Sequence, residues 1–271
     1  MASEENVLSI LSKPSGLELY SSGLSGSAWL LFVGVAVIIG SIIYYNVAPD
    51  NPWGVVLGAW VVGGILGFIG FYALSNALKV ERLRLAAHML RSISLHTALA
   101  SEKGNSEALR LVGEMEKEER SFIARMFRAA GVDVTSAFMQ STLEGVERVT
   151  QPPYILIYRN GVLDAPSTLV ANVTARTAGA IMFAFAFILL GLIMLAIGVL
   201  IGSIFVYTTA RALKKHAEVE NKIRQLLGLN PVPAKAPGIG GLIASIITGG
   251  LYIPLYARSL TSSIDSHIAS H

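Results

Sequence analysis

Apolar residues in this chain gather in long runs instead of alternating with polar ones. Four runs stand out: Ala28 to Val47, Trp53 to Leu78, Ala178 to Thr209 and Ile239 to Ala257. None of them contains Asp, Glu, Lys, Arg or His. A helix rises ~1.5 Å per residue and the hydrocarbon core of a bilayer is ~30 Å thick, so about 20 apolar residues make a span. The pattern predicts an all-α integral membrane protein, with about four transmembrane helices and an amphipathic helical insert between the second and third.

The runs divide the chain into six segments. They are an N-terminal polar segment (1–27), a transmembrane hairpin (28–78), a polar, mostly helical domain (79–175), a long transmembrane helix (176–215), a basic linker (216–237) and a C-terminal membrane segment with its tail (238–271). The hairpin turn is Ala48-Pro49-Asp50-Asn51-Pro52, flanked by Tyr44, Tyr45 and Trp53, aromatic residues that suit a membrane–water boundary. The opening Met1-Ala2-Ser3-Glu4-Glu5 is acidic where a signal peptide is basic, so the first run is expected to stay as an anchor. The third run has 32 residues, roughly 48 Å of helix. One long helix is expected there, with a re-entrant or broken helix near Gly191 or Gly198 as the alternative. The fourth run carries Gly249, Gly250 and Pro254 and is the weakest span.

Between the second and third runs the period changes to that of amphipathic helices. Val80, Leu83, Ala87 and Leu90 keep helical spacing, so the second span is expected to continue out of the membrane. A break at Lys103-Gly104-Asn105 precedes a helix capped by Ser106, with Leu109, Val112, Met115, Phe122 and Met126 on its apolar stripe and Gly131 as its stop. A third helix is expected over Ser136 to Val149. Tyr154 to Leu163 reads as a short strand pair around Asn160-Gly161.

Composition agrees with the runs. Hydrophobic residues are 53%, charged residues 14% and the mean hydropathy is +0.58, which excludes an ordinary soluble enzyme and a disordered chain. The net charge of +3 does not indicate nucleic acid. With no cysteine there is no disulfide, thiolate ligand or Cys nucleophile. The juxtamembrane basic residues Lys79, Arg82 and Arg84 place residues 79–175 on the cytoplasmic side. Arg211, Lys214 and Lys215 mark a second basic exit, which a simple four-span count would put outside. The side of the C-terminal part therefore stays open.

Small residues recur at helix-packing spacing. Gly54/Gly58 and Gly63/Gly67 lie in the second run and Gly198/Gly202 in the third, each a G-x-x-x-G pair that lets helix backbones approach closely. They are the expected helix-packing interface, either internal or with another subunit.

Candidate chemistry is sparse. Glu114 to Arg120 is dense in charge of both signs and reads as a solvated helix face. His88 and His96 are eight residues apart without an i+4 His or a Glu-x-x-His spacing, and His216, His267 and His271 are read as lacking a common spacing. His88 and His96 are expected as surface histidines of a helix, the other three lie near membrane exits or the tail, and no catalytic, cofactor-binding or metal residue is assigned. Charge-free spans argue against a proton-coupled carrier.

The stretch Ile247-Thr248-Gly249-Gly250-Leu251-Tyr252-Ile253-Pro254-Leu255-Tyr256 resembles the Ile-Thr-x-Gly-x-Tyr signature of the DUF4234-like group, uncharacterised prokaryotic and archaeal membrane proteins. Ala210-Arg211-Ala212-Leu213-Lys214-Lys215-His216 resembles a degenerate second copy. The likeness covers about a fifth of the chain, and Leu255 departs from the aromatic expected nearby. It implies membrane insertion and no established activity. The expectation is thus a non-enzymatic, multi-pass cell-membrane protein without cofactors, a structural or assembly subunit of an envelope complex. Its partners would be membrane lipid and other membrane subunits or a second copy of itself. A passive pore or translocation subunit of a secretion or DNA-transfer machine is the alternative.

Overall fold

The computed structural model describes residues 4–48, 53–135, 137–138, 153–159, 161–185 and 191–271, with side chains described except at 4–6, 159, 179–185 and 191–197. All regular structure among the described residues is helical: α1 (Glu4–Leu11), α2 (Leu24–Val47), α3 (Trp53–Glu102), α4 (Ser106–Ala129), α5 (Pro153–Arg159), α6 (Pro166–Phe185), α7 (Gly191–Leu226), α8 (Ile239–Ile247) and α9 (Ile253–Ala269).

Two of these helices, α2 and α3, are long and apolar enough to cross a membrane. They pack along one another, and glycine sets the spacing. A Cβ added to Gly34 would collide with the backbone of Gly67, and one on Gly70 with the backbone of Leu31; one on Gly63 would stand 2.7 Å from Ile38 Cγ1. Away from that seam the hairpin exposes Ile43, Val55, Leu57, Val61, Val62 and Ile65. A contiguous apolar surface of this kind suits lipid rather than water.

α3 runs on for 50 residues, roughly 75 Å, and changes character along its length. From Leu74 onward its side chains turn inward, because α1, α4, α5, α6, α7 and α9 all pack against it. The expected continuation of the second apolar run is this lower half. α4 follows after Gly104, and its cap is Asn105 rather than Ser106: the Asn105 side chain accepts from the Ala108 N–H at 3.0 Å. The buried stripe of α4 is Ala108, Val112, Met115, Ile123 and Phe127, so Leu109 faces outward and Phe122 is only partly covered.

Four spans are not supported. The fourth run is broken where Gly249 and Gly250 adopt φ of 60° and 100°, a left-handed backbone that stops a helix of L-residues. Only nine residues of helix precede the break, about 14 Å, and Pro254 sits in the first turn of α9. α9 then buries Ile253, Tyr256, Leu260, Ile264 and Ile268 against its neighbours. The third run is shared between α6 and α7, and residues 186–190 and the side chains around them lie outside the described residues. The helix expected at 136–149 likewise lies almost wholly outside them. The strand pair at 154–163 is replaced by a helix. Pro153 opens α5, and Tyr154, Ile155 and Ile157 are buried. Gly161, at φ 68°, ends the segment with its N–H on the Tyr158 carbonyl at 2.9 Å, so Gly161 serves as a helix stop.

The glycine seam gives a direct test. Gly34→Val and Gly70→Val should each cost about 1–3 kcal/mol through backbone displacement, whereas Gly54→Val, with open space at its Cβ, should leave stability unchanged. Thermal unfolding in detergent micelles would separate the two classes.

Candidate metal centre

The lower half of α3 carries a polar stripe on a buried face. Glu81, Arg84, His88, Arg91, Ser92 and His96 recur at helical spacing, and all are buried. Charges taken from water need partners, since an uncompensated buried charge costs several kcal/mol. The turn after α1 supplies one. Glu18 accepts from Ser15 N (2.8 Å), Ser15 Oγ (2.9 Å) and Arg91 Nε (2.8 Å), and lies 3.2 Å from His88 Nδ1. Burial opposes its ionisation, but His88, Arg91 and Ser15 outweigh that and hold Glu18 at about 2. Arg91 Nη1 also donates to the Leu11 carbonyl at 3.0 Å. Arg84 donates to the Glu18 carbonyl (2.8 and 3.0 Å), to Glu81 (3.1 Å) and to Asp265 of α9 (2.7 Å).

Above this charged layer the histidines converge. The chain has five, and all five meet in one cluster. α3 gives His88 and His96, α7 gives His216 and Glu220 one turn apart, and α9 and the residue after its C-cap give His267 and His271 one turn apart. The expectation of surface histidines fails: the side chains of all five are 0% exposed.

Four of the rings are held by Nδ1. His88 Nδ1 faces Glu18 at 3.2 Å, His96 Nδ1 the Ser92 carbonyl at 2.8 Å, His216 Nδ1 the Glu119 carboxylate at 2.9 Å and His267 Nδ1 the Pro233 carbonyl at 3.0 Å. Carboxylates and carbonyls only accept, so Nδ1 donates in each of these contacts; at His88 the Glu18 contact is shorter than the 3.4 Å approach of Arg91 Nη2 to the same nitrogen. In a neutral ring the lone pair then belongs to Nε2. Those four Nε2 atoms are buried without a hydrogen-bond partner, as are both ring nitrogens of His271 and Glu220 Oε2. One ligand atom each from His88, Glu220, His267 and His271 falls within 4.8 Å of the others. This is the arrangement of a metal site, with the outer nitrogen hydrogen-bonded to an acceptor and the inner one aimed at a common point.

Protonation fits the same reading. Burial lowers His88 well below its ordinary value, His96 to about 4 and His271 below the usual range, so these rings are neutral near pH 7. His216 differs: burial opposes its charge, but Glu119 overrides that and raises it to about 9, so this ring is cationic near pH 7 and an ion would have to displace its Nε2 proton. Glu220 is ionised, because the burial that opposes its charge is outweighed by His267, His271 and His216.

A proline-rich strap completes the support. Asn221, next to Glu220, pins Val232 in both directions, donating to its carbonyl at 3.0 Å and accepting from its N–H at 2.7 Å. Val232 precedes the Pro233 carbonyl that orients His267, whose Nε2 returns to Glu220 Oε2 at 3.2 Å. The circuit from Glu220 back to itself is closed.

The residues singled out in the sequence fall elsewhere or play other parts. Gly63 and Gly67 lie in the α2–α3 seam, Gly198 and Gly202 seat Phe71 and Leu74, and Gly54 and Gly58 face open space. Lys79 donates to Thr177 at 2.9 Å, Arg82 lies between the Phe122 and Phe205 rings, and Arg84 belongs to the buried charged layer. Arg211 is exposed, Lys214 pairs with Glu218 and Lys215 with Glu118. In the Glu114–Arg120 patch Glu119 leaves the solvated set and reaches the cluster. Two signals were present in the sequence: His216-x-x-x-Glu220 and His267-x-x-x-His271 are both i, i+4 pairs, which face the same way on a helix.

Removing Arg91 tests the charged layer. Arg91→Met leaves Glu18 short of its main cationic partner and should cost about 3–5 kcal/mol in denaturant unfolding, with part of the loss recovered in the double variant Arg91→Met/Glu18→Gln. No family model, no curated protein and no solved structure matches this chain, so the site stands on its own geometry.

Proposed function

We propose that this chain is a membrane-anchored metalloprotein, with α2 and α3 as its multi-pass anchor in the cell membrane and the buried histidine–glutamate cluster as its functional centre. The observation that carries the reading is the set of Nε2 atoms, anchored from behind and unpartnered in front, converging on Glu220. Without an ion, several lone pairs and a carboxylate oxygen stay buried and unsatisfied, at about 1–3 kcal/mol each. Imidazole and carboxylate donors without a thiolate suit Zn2+ and its first-row neighbours. Ions of this group bind imidazole at about 2.0–2.1 Å, so ligand atoms that lie within 4.8 Å of one another draw inward to a spacing of about 3.4 Å when an ion is bound. The bound ion would tie α3, α7 and α9 together and supply Lewis acidity beneath the membrane hairpin.

The test is uptake by the untagged full chain in detergent after chelator treatment. Zn2+ at about a hundred times its dissociation constant should raise the melting temperature by about 5–10 °C, and His267→Ala/His271→Ala should abolish the rise. A chain that retains no Zn2+, Co2+, Ni2+, Fe2+ or Cu2+ after gel filtration would end this reading.

An assembly role keeps an observation of its own. Gly54, Gly58 and Gly64 have nothing within 4 Å of an added Cβ, so the outer part of α3 leaves room for a helix of another subunit or a second copy. With Gly58→Cys in this cysteine-free chain, oxidative cross-linking in membranes should give a defined larger species; monomer alone under strong oxidation argues against it.

A further inference from the structure

We infer that the cluster holds two divalent first-row transition ions bridged by the Glu220 carboxylate, one bound by His96 and His271 and the other by His216 and His267. The inference rests on the metal reading above and adds a second ion to it.

The two carboxylate oxygens face different histidines. Oε1 lies 2.9 Å from His271 Nε2 and 3.6 Å from His96 Nε2; Oε2 lies 3.2 Å from His267 Nε2 and 3.5 Å from His216 Nε2. Two ligands of one tetrahedral ion, each at about 2.0–2.2 Å from it, stand about 3.4 Å apart. Three of the separations, 3.2, 3.5 and 3.6 Å, lie close to that value, and the 2.9 Å one is shorter. Hydrogen bonds account for the shorter pair but not for the longer one, because 3.5 and 3.6 Å exceed ordinary N–H···O lengths.

Donor supply points the same way. Five inward nitrogens and two carboxylate oxygens exceed the four positions of one tetrahedral ion. His88 stands between the halves, its ring centroid 4.7 Å from that of His271 and 4.9 Å from that of His267. Each half has its own outer support. Ser92 serves the first, its carbonyl accepting from His96 Nδ1 at 2.8 Å and its hydroxyl donating to Glu220 Oε1 at 2.9 Å. Glu119 and the Pro233 carbonyl serve the second. A carboxylate bridge sets two ions about 3.5–4 Å apart. With two nitrogens and one oxygen on each, and His88 available to one, at least one ion keeps a position for water.

The experiment titrates the untagged, metal-stripped full chain in detergent with Co2+, then Zn2+, reading bound ions per chain after gel filtration and the electron paramagnetic resonance of Co2+. The expected result is two ions per chain, with the signal per Co2+ falling as the second equivalent couples to the first. His96→Gln and His216→Gln, checked for helicity by circular dichroism, should each hold one uncoupled ion. One ion per chain in the unsubstituted protein, or two without coupling, overturns the bridged pair while leaving a mononuclear centre. No bound ion overturns the metal reading itself. Two coupled ions retained by either folded variant overturn the partition of ligands. Stoichiometry and coupling in the unsubstituted chain decide the proposal even where a variant does not fold.

Discussion

A carboxylate sealed from water has to be met by positive charge, hydrogen bonds or a metal ion, and Glu220 is met from every side by imidazole. Much of the body is arranged around that requirement. α3 brings His88, Ser92 and His96, α7 brings His216 beside Glu220 itself, and α9 and the residue after its C-cap bring His267 and His271. α4 brings Glu119 behind His216, and the turn after α1 brings Glu18 behind His88. The apolar core around these helices fixes their positions, but it does not choose which polar groups meet. That choice comes from pairing: the Nδ1 atoms of His88, His96, His216 and His267 each meet an acceptor, which leaves their Nε2 atoms for the cluster.

The molecule therefore has two regions of opposite logic along one helix. The upper half of α3 shows apolar side chains to its surroundings and packs on α2 through backbone contact at glycine. The lower half hides its charges and is wrapped by six other helices. Backbone hydrogen bonding is continuous across the change, so α3 is a single rigid element joining the two.

The two long apolar helices were legible in the sequence, because charge exclusion over some twenty residues marks helices long and apolar enough to cross a membrane. The continuation of the second run beyond the apolar segment was legible too, through its 3.6-residue period. The cluster was not. Its ligands come from three helices far apart in the chain, two per helix, and no local spacing connects His88 to Glu220 or His267. The i, i+4 pairs on α7 and α9 were visible but modest, since such pairs also occur on solvated faces. Burial distinguishes the two cases, and burial of a polar stripe on α3 depends on α4, α7 and α9 closing over it. The Asn160-Gly161 dipeptide misled for a related reason: it predicts a hairpin, while tertiary packing of Tyr154, Ile155 and Ile157 goes with a helix over Pro153–Arg159.

The strap between α7 and α8 carries an implication for how this chain can change. His267 is oriented by a main-chain carbonyl, an acceptor that every amino acid possesses. Replacement of the Pro233 side chain cannot delete it; only a change in the path of the strap can. That path is pinned by the two hydrogen bonds of Asn221, a residue outside the ligand set. Tolerance to substitution should therefore run opposite to proximity: the strap residue nearest the cluster is chemically replaceable, and the asparagine that only ties the strap down is not.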